Sequence, residues 1–356
     1  MISLVMAGLA AAIIGPAPAA AGNSVFSTVS VGLYESSAWG WGPANTNLKV
    51  TLRGAEGDYQ GHFFVESDGG GYWEGRFWGD VQAADTVTVK ETSGTSSRTV
   101  TVQPLTYSIN RVTDVISGKS VPNSNVDIYV RGCQDDWDDC DGEVDITRPT
   151  NGLGKFSFDT TSIYNLRGQD GVELRWDSNQ GDEVYRWLDV PYQGAFVGSN
   201  DSWGVSKPRQ EVTAWLFNSQ GTQKAKFRHR GDIWDGDWYG AFANDGRAVN
   251  IRAGDFVGSD IASDALFQIV NTNASFDTGN DTVSGKCFNN KVFTLFVQRR
   301  DGSNDSTYTG GTANGNGNFT VNLMNSNGWD LQSGDLVDIR CRTAKGDEQE
   351  TPFEVP

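Results

Sequence analysis

The chain has 356 residues, and its 28 Lys and Arg against 45 Asp and Glu give a formal net charge of −17. So acidic a chain lacks the basic face that a phosphate backbone requires, which excludes nucleic acid as a partner. Only 37% of residues are hydrophobic, but 12 Trp, 10 Tyr, 18 Phe and 43 Gly are present, a balance that suits short strands with aromatic cores and tight turns and excludes coiled coils and multi-span membrane proteins.

The chain opens on the apolar segment Met1–Ala21. Its run Leu4–Ile14 is too short for a membrane span, which takes about 20 residues. Ala19-Ala20-Ala21 before Gly22 has the small-residue pattern of a cleavage site, so residues 1–21 read as a secretory signal or as a retained apolar segment. Next comes a β-rich stretch, Val25–Tyr34, in which Val29, Val31 and Leu33 alternate with Ser30 and Gly32. Its plain role is the first strand of a unit, because Thr106–Val115 holds the same phase further on. The alternative is strand donation, in which Val25, Val29, Val31 and Leu33 complete a sheet edge of another copy.

From residue 43 onward three markers recur four times in the same order. The first is a polar turn opening an alternating strand, with Leu48, Val126, Val212 and Val292 in the same phase. The second is Gly-x-Phe, ending at Phe77, Phe156, Phe242 and Phe319. These four are expected to be buried core aromatics at equivalent places. The third is Asp-x-Val at Asp85, Asp170, Asp255 and Asp335, where the Asp is expected to bond backbone amides two residues on. Period-two alternation with frequent turns means strands, and units of roughly 80 residues suit immunoglobulin-like sandwiches. The chain therefore reads as all-β, four tandem immunoglobulin-like β-sandwich domains in an elongated string with nearest-neighbour contacts. The domains are 22–105, 106–191, 192–270 and 271–356.

The order Trp-Gly-x-x-Pro, Asn-x-x-Val-x-Val, Gly-x-Phe and Gly-Asp-x-Val resembles the tandem immunoglobulin-like repeats of prokaryotic secreted and cell-surface proteins. That resemblance implies adhesion, surface display or fibre formation, and names no ligand.

The four cysteines are Cys133, Cys140, Cys287 and Cys341, without a C-x-x-C pair. They fit disulfides 133–140 and 287–341 in an oxidising compartment, or else four buried thiols. Between the first two, Asp135, Asp136, Asp138, Asp139 and Asp141 offer hard oxygen ligands for calcium. They do not fit an EF-hand, since a loop with Gly142 at its sixth position puts Trp137 and Arg148 at ligand sites. The other reading is a solvated acidic hairpin tip. No other cofactor is indicated. His62 and His229 fall in different units, and no nucleotide fingerprint or nucleophile–base motif is present, so no enzyme is expected.

Trp39, Trp41, Trp73 and Trp78 crowd the first unit, and Trp203, Trp215, Trp234 and Trp238 the third. They either fill cores or form an exposed set that stacks on sugar rings. Sequons begin at Asn200, Asn273, Asn280, Asn304 and Asn318 as glycosylation candidates. The resulting expectation is an extracellular or cell-surface structural protein that associates with copies of itself in a filament, stalk or surface layer. The alternative is an adhesin or carbohydrate-binding string that meets surface glycans through exposed Trp.

Overall fold

The computed structural model describes residues 26–132, 143–233, 235–300 and 305–356, and among them the chain is strand and turn with one short helix. The first strand set is β1 (Thr28–Gly32), β2 (Ser37–Trp41), β3 (Asn47–Arg53), β4 (Tyr59–Glu66), β5 (Tyr72–Arg76), β6 (Thr86–Glu91) and β7 (Ser97–Thr101). In it β1-β2-β5 faces β4-β3-β6-β7. The second set is β8 (Thr106–Asn110), β9 (Val115–Lys119), β10 (Asn125–Arg131), β11 (Glu143–Pro149), β12 (Lys155–Asp159), β13 (Gly171–Asp177) and β14 (Glu183–Asp189), with β8-β9-β12 against β11-β10-β13-β14.

The third set runs β15 (Tyr192–Phe196), β16 (Asp201–Val205), β17 (Glu211–Phe217), β18 (Gln223–Arg230) and β19 (Asp237–Ala241). A small hairpin, β20 (Ala243–Asn244) and β21 (Arg247–Ala248), precedes β22 (Phe256–Ser259) and β23 (Leu266–Gln268). The fourth comprises β24 (Ser275–Asp277), β25 (Thr282–Lys286), β26 (Val292–Gln298), β27 (Ser306–Thr312), β28 (Asn318–Asn322), helix α1 (Leu323–Asn327), β29 (Leu336–Arg342) and β30 (Glu348–Glu354). The plan of three strands against four holds in these sets too, and it is that of an immunoglobulin-like sandwich. Among the described residues no helix is long and apolar enough to cross a membrane.

Local chemistry explains why the plan repeats. Asn45, Asn123, Arg209 and Asn290 each take a left-handed φ of 49°, 53°, 62° and 53°. Three residues beyond each stands the first buried residue of the next strand: Leu48, Val126, Val212 and Phe293. The last of these corrects the expected Val292, which is only half-buried. With a period of two, an error of one residue turns a strand over. Asp85, Asp170, Asp255 and Asp335 each accept the N–H of the residue three earlier, namely Gln82, Arg167, Arg252 and Gln332, at 2.7 to 3.0 Å. The bond thus closes the turn backward and not two residues forward, and it places Val87, Val172, Val257 and Val337 in the core.

The four marker phenylalanines are buried, but they do not occupy equivalent places. Gly40, Gly118, Gly204 and Gly285 on the second strand of each set pair with Trp73, Phe156, Trp238 and Phe319. A Cβ at any of these glycines would lie 2.7 to 2.8 Å from the facing ring, so the absence of a side chain lets the aromatic settle there. The repeated marker is therefore Gly-x-aromatic, with Gly71-Tyr72-Trp73 and Gly236-Asp237-Trp238 in the odd sets. Phe77 and Phe242 stand four residues later, packed on Phe63 and Phe227 with ring centroids 5.0 Å apart in each case.

The sets are joined in twos by parallel strand pairs. β1 pairs with β14 through Ser30 with Glu183, Val31 with Val184 and Gly32 with Tyr185. β15 pairs with β30 through Gly194 with Glu348, Ala195 with Gln349 and Phe196 with Glu350. Two seven-stranded sheets result, β11-β10-β13-β14-β1-β2-β5 and β19-β16-β15-β30-β29-β26-β27. The buried residues from Phe26 to Val190 form one continuous core under the first. Val29, Val31 and Leu33 are buried in it, and both edges of β1 are filled within the chain.

Contacts also reach past nearest neighbours, contrary to expectation, because Arg111 of the second set ion-pairs with Asp347 of the fourth. In the fourth set, Cys287 and Cys341 form a disulfide with Cα atoms 5.3 Å apart, tying β29 to the end of β25 across the sandwich.

Candidate functional site

The outer face of the second seven-stranded sheet gathers aromatic and charged side chains from two sets. Strand register puts Tyr239, Trp203, Gly194, Glu348 and Arg342 in one row. The adjoining row holds Phe196, Glu350 and Arg340. Trp203 lies on the backbone of β15 at Gly194, where a Cβ would stand 2.3 Å from the indole; only glycine permits that approach. Phe196 packs beside it with centroids 4.2 Å apart, and Tyr239 is 54% exposed. Together these residues border a cavity of about 630 Å³ that Gln169, Tyr192 and His229 help to line.

Two ion pairs form the other side, Arg340 with Glu350 at 3.1 Å and Arg342 with Glu348 at 3.2 Å. Burial pushes the Glu350 carboxyl up to about 7, against the pull of Arg340. A carboxyl whose folded value stands above its ordinary 4.5 is penalised when charged. Glu350 should therefore contribute a gain in stability that appears as pH falls from about 7 towards 4.5 and is absent above pH 7. Melting curves of Glu350→Gln at pH 8 and pH 5 should show this gain reduced; an undiminished gain would mean that another group sets it.

The first seven-stranded sheet carries a related face. Trp39 pairs with Ser30, and Ser30 with Glu183. Arg175 ion-pairs with Glu173 and lies 3.7 Å from Glu183. Ser30 here stands where the second face has Gly194, and Trp39 leans towards Tyr72 with centroids 6.3 Å apart.

No protein-family model matches the chain, and no curated protein matches it. Among solved structures it is similar to a tetra-tandem repeat in the extending region of a large adhesion protein, at 14% identity, over 92% of this chain and 99% of that one, with a TM-score of 0.20. It is also similar to the BSP domain of a biofilm-associated protein, at 9% identity over 93% and 96% with a TM-score of 0.18. A bacterial ice-binding adhesin shares 10% identity over 92% of this chain and 93% of its own, with a TM-score of 0.16. The fold assignment rests on the strand pairing described above.

Of the tryptophans singled out by sequence, Trp73 and Trp238 are core residues, 1% and 3% exposed, so neither can stack on a ligand. Trp39, Trp203 and Trp215 are half-buried, and Trp41 and Trp78 are exposed. His62 and His229 stand on β4 and β18 of different sets. Asn273, Asn280 and Asn318 are exposed, while the Asn200 side chain donates to the Phe242 carbonyl at 3.1 Å. Residues 1–21, Val25, Cys133, Cys140, Asp135, Asp136, Asp138, Asp139, Asp141, Trp234 and Asn304 lie outside the described residues.

Sequence reading missed Gly194, Arg340, Arg342, Glu348 and Glu350. The chain gave one usable signal for them. Arg175 and Glu183 in the second unit share their spacing with Arg340 and Glu348 in the fourth.

Proposed function

We propose that the chain is a non-enzymatic, adhesin-type protein of the cell surface or extracellular space, a string of four sandwich domains that presents a glycan-binding face. The observation that carries this is the Trp203 indole laid on Gly194 beside Phe196 and Tyr239, with two arginine–carboxylate pairs opposite. Aromatic faces take up the C–H faces of a pyranose ring, while guanidinium and carboxylate groups suit adjacent hydroxyls. A shallow aromatic site with a few fixed polar groups is what such a ligand needs. Domain limits at 105/106, 191/192 and 270/271 fall between the strand sets and belong to the same proposal. Filament growth by donating Val25, Val29, Val31 and Leu33 would have to strip β1 from both β2 and β14, so the role proposed for that strand is inside its own chain.

The test is a titration of the intact protein against a panel of soluble and immobilised polysaccharides. Saturable binding is expected, weakened about tenfold or more by Trp203→Ala and unchanged by Trp78→Ala, a lone side chain 98% exposed. The proposal fails if no polysaccharide saturates, or if the two substitutions weaken binding equally.

A further inference from the structure

Asp182 and Asp347 occupy the same place in the two halves of the chain, at the turn before β14 and before β30. Each accepts an N–H from the strand it meets, Val29 at 3.2 Å and Gln193 at 3.0 Å. Each is also met by a guanidinium, but from different directions. In the first half Arg98 of β7 donates through Nε to Asp182 at 2.7 Å, through Nη1 to the Phe26 carbonyl at 2.8 Å and through Nη2 to the Gln180 carbonyl at 2.7 Å. In the second half the guanidinium is that of Arg111, on the turn between β8 and β9. It holds both carboxylate oxygens of Asp347 at 3.0 and 2.9 Å, the Pro191 carbonyl at 3.0 Å and the Lys345 carbonyl at 3.2 Å, with Asp264 at 3.1 Å.

Asp182 matches Asp347 and Gln180 matches Lys345, while Phe26 and Pro191 both lie on the approach to the first strand of their half. One socket therefore serves two plugs. What decides between them is a single position, on β7 in the first set and immediately before β23 in the third. Arg98 pairs with Val89, two residues beyond Val87; at the same place Ala265 accepts the N–H of Ser259, two beyond Val257. With alanine there, β23 leaves the socket open and Arg111 enters from the neighbouring set.

We propose that this socket is a docking joint for the arginine-bearing first turn of a sandwich, that Arg111 uses it in the second half, and that Arg98 plugs it in the first half and so denies that socket to a second copy. The plug side agrees. The turn between β24 and β25 is built like the one that carries Arg111. Asp277 accepts the N–H groups of Gly279 and Asn280 as Asn110 accepts those of Val112 and Thr113. Asp281 accepts from Leu331 as Asp114 accepts from Leu166. Thr278 stands where Arg111 does, and it has no charge to offer. The socket of the first half is filled, and the fourth set brings no plug.

Sedimentation velocity of the full chain tests this. Arg98→Ala combined with Thr278→Arg opens the socket and supplies the plug, so the mass should rise with concentration into head-to-tail oligomers. Either substitution alone should sediment as the parent protein does, and adding Asp182→Asn to the double variant should restore that behaviour. A folded double variant that sediments as the parent overturns the proposal, as does Arg98→Ala that oligomerises equally well alone. Should loss of Arg98 unfold the first half, Ala265→Arg interrogates the other socket. The new arginine plugs it and displaces Arg111, and the Gly168 amide, which donates to the Lys345 carbonyl at 2.8 Å, should exchange at least about tenfold faster. Parental exchange at Gly168 in that variant also overturns the proposal.

Discussion

Arg111→Ala is expected to destabilise the protein by about 3–5 kcal/mol, because it strands a buried charge. The Arg111 side chain is 1% exposed and that of Asp347 2%. Burial raises the Asp347 carboxyl, and the bidentate contact with Arg111 is foremost among what opposes that rise. After truncation the Gln193 N–H remains as a donor to Asp347, which cannot replace a guanidinium. Asp264, which also accepts from Arg111, keeps Lys345 at 3.8 Å. Arg111→Lys should recover only part of the loss, since an ammonium cannot span both oxygens of Asp347 and the two carbonyls at once. Denaturant unfolding monitored by fluorescence measures this. A loss below about 1 kcal/mol, the range of exposed pairs, would show that solvent reaches the site.

The second large effect is expected at Trp73. Trp73→Ala should cost about 3–5 kcal/mol, since the emptied volume lies between Gly40 and the facing sheet and cannot collapse fully. Its reach is the informative part. The buried residues of the first and second sets form one core, so the loss should accelerate amide exchange in β13 and β14 as well as in β2 and β5. Trp238→Ala is the control, because the third and fourth sets keep separate cores. There the effect should stay within the third set. Exchange in β13 that ignores Trp73→Ala would mean that the first two sets open independently.

What sequence reading could and could not reach follows from the range of each interaction. The Asp-x-Val marker was legible because its chemistry is local, a carboxylate closing its own turn onto Gln82, Arg167, Arg252 and Gln332. The core aromatic was legible in kind and misplaced in register, since Trp73 and Trp238 do in the odd sets what Phe156 and Phe319 do in the even ones. A search for phenylalanine alone slides by four residues. The pairing of sets was not legible. β1 and β14 are separated by most of two units, and the parallel ladder between them leaves no mark on the composition of either strand. The candidate site inherits that opacity, because Trp203 meets Glu348 only across the ladder of β15 and β30. Arg111 reads as one more charged turn residue, and nothing near it announces a buried partner in another set.

The parallel seams also decide how the molecule bears tension. The chain enters the first half through β1 and leaves it through β14, and these two strands lie side by side, pointing the same way. A pull on the flanking chain draws β1 by its start and β14 by its end, in opposite directions along one axis. The slanted bonds of a parallel ladder are then loaded together in shear, where a hairpin pulled from its open end would give way one bond at a time. β15 and β30 repeat the geometry at the entrance and exit of the second half. Force crossing each half passes from strand to strand at the seam, and the loops, turns and sandwich interiors threaded between those two strands lie off its path.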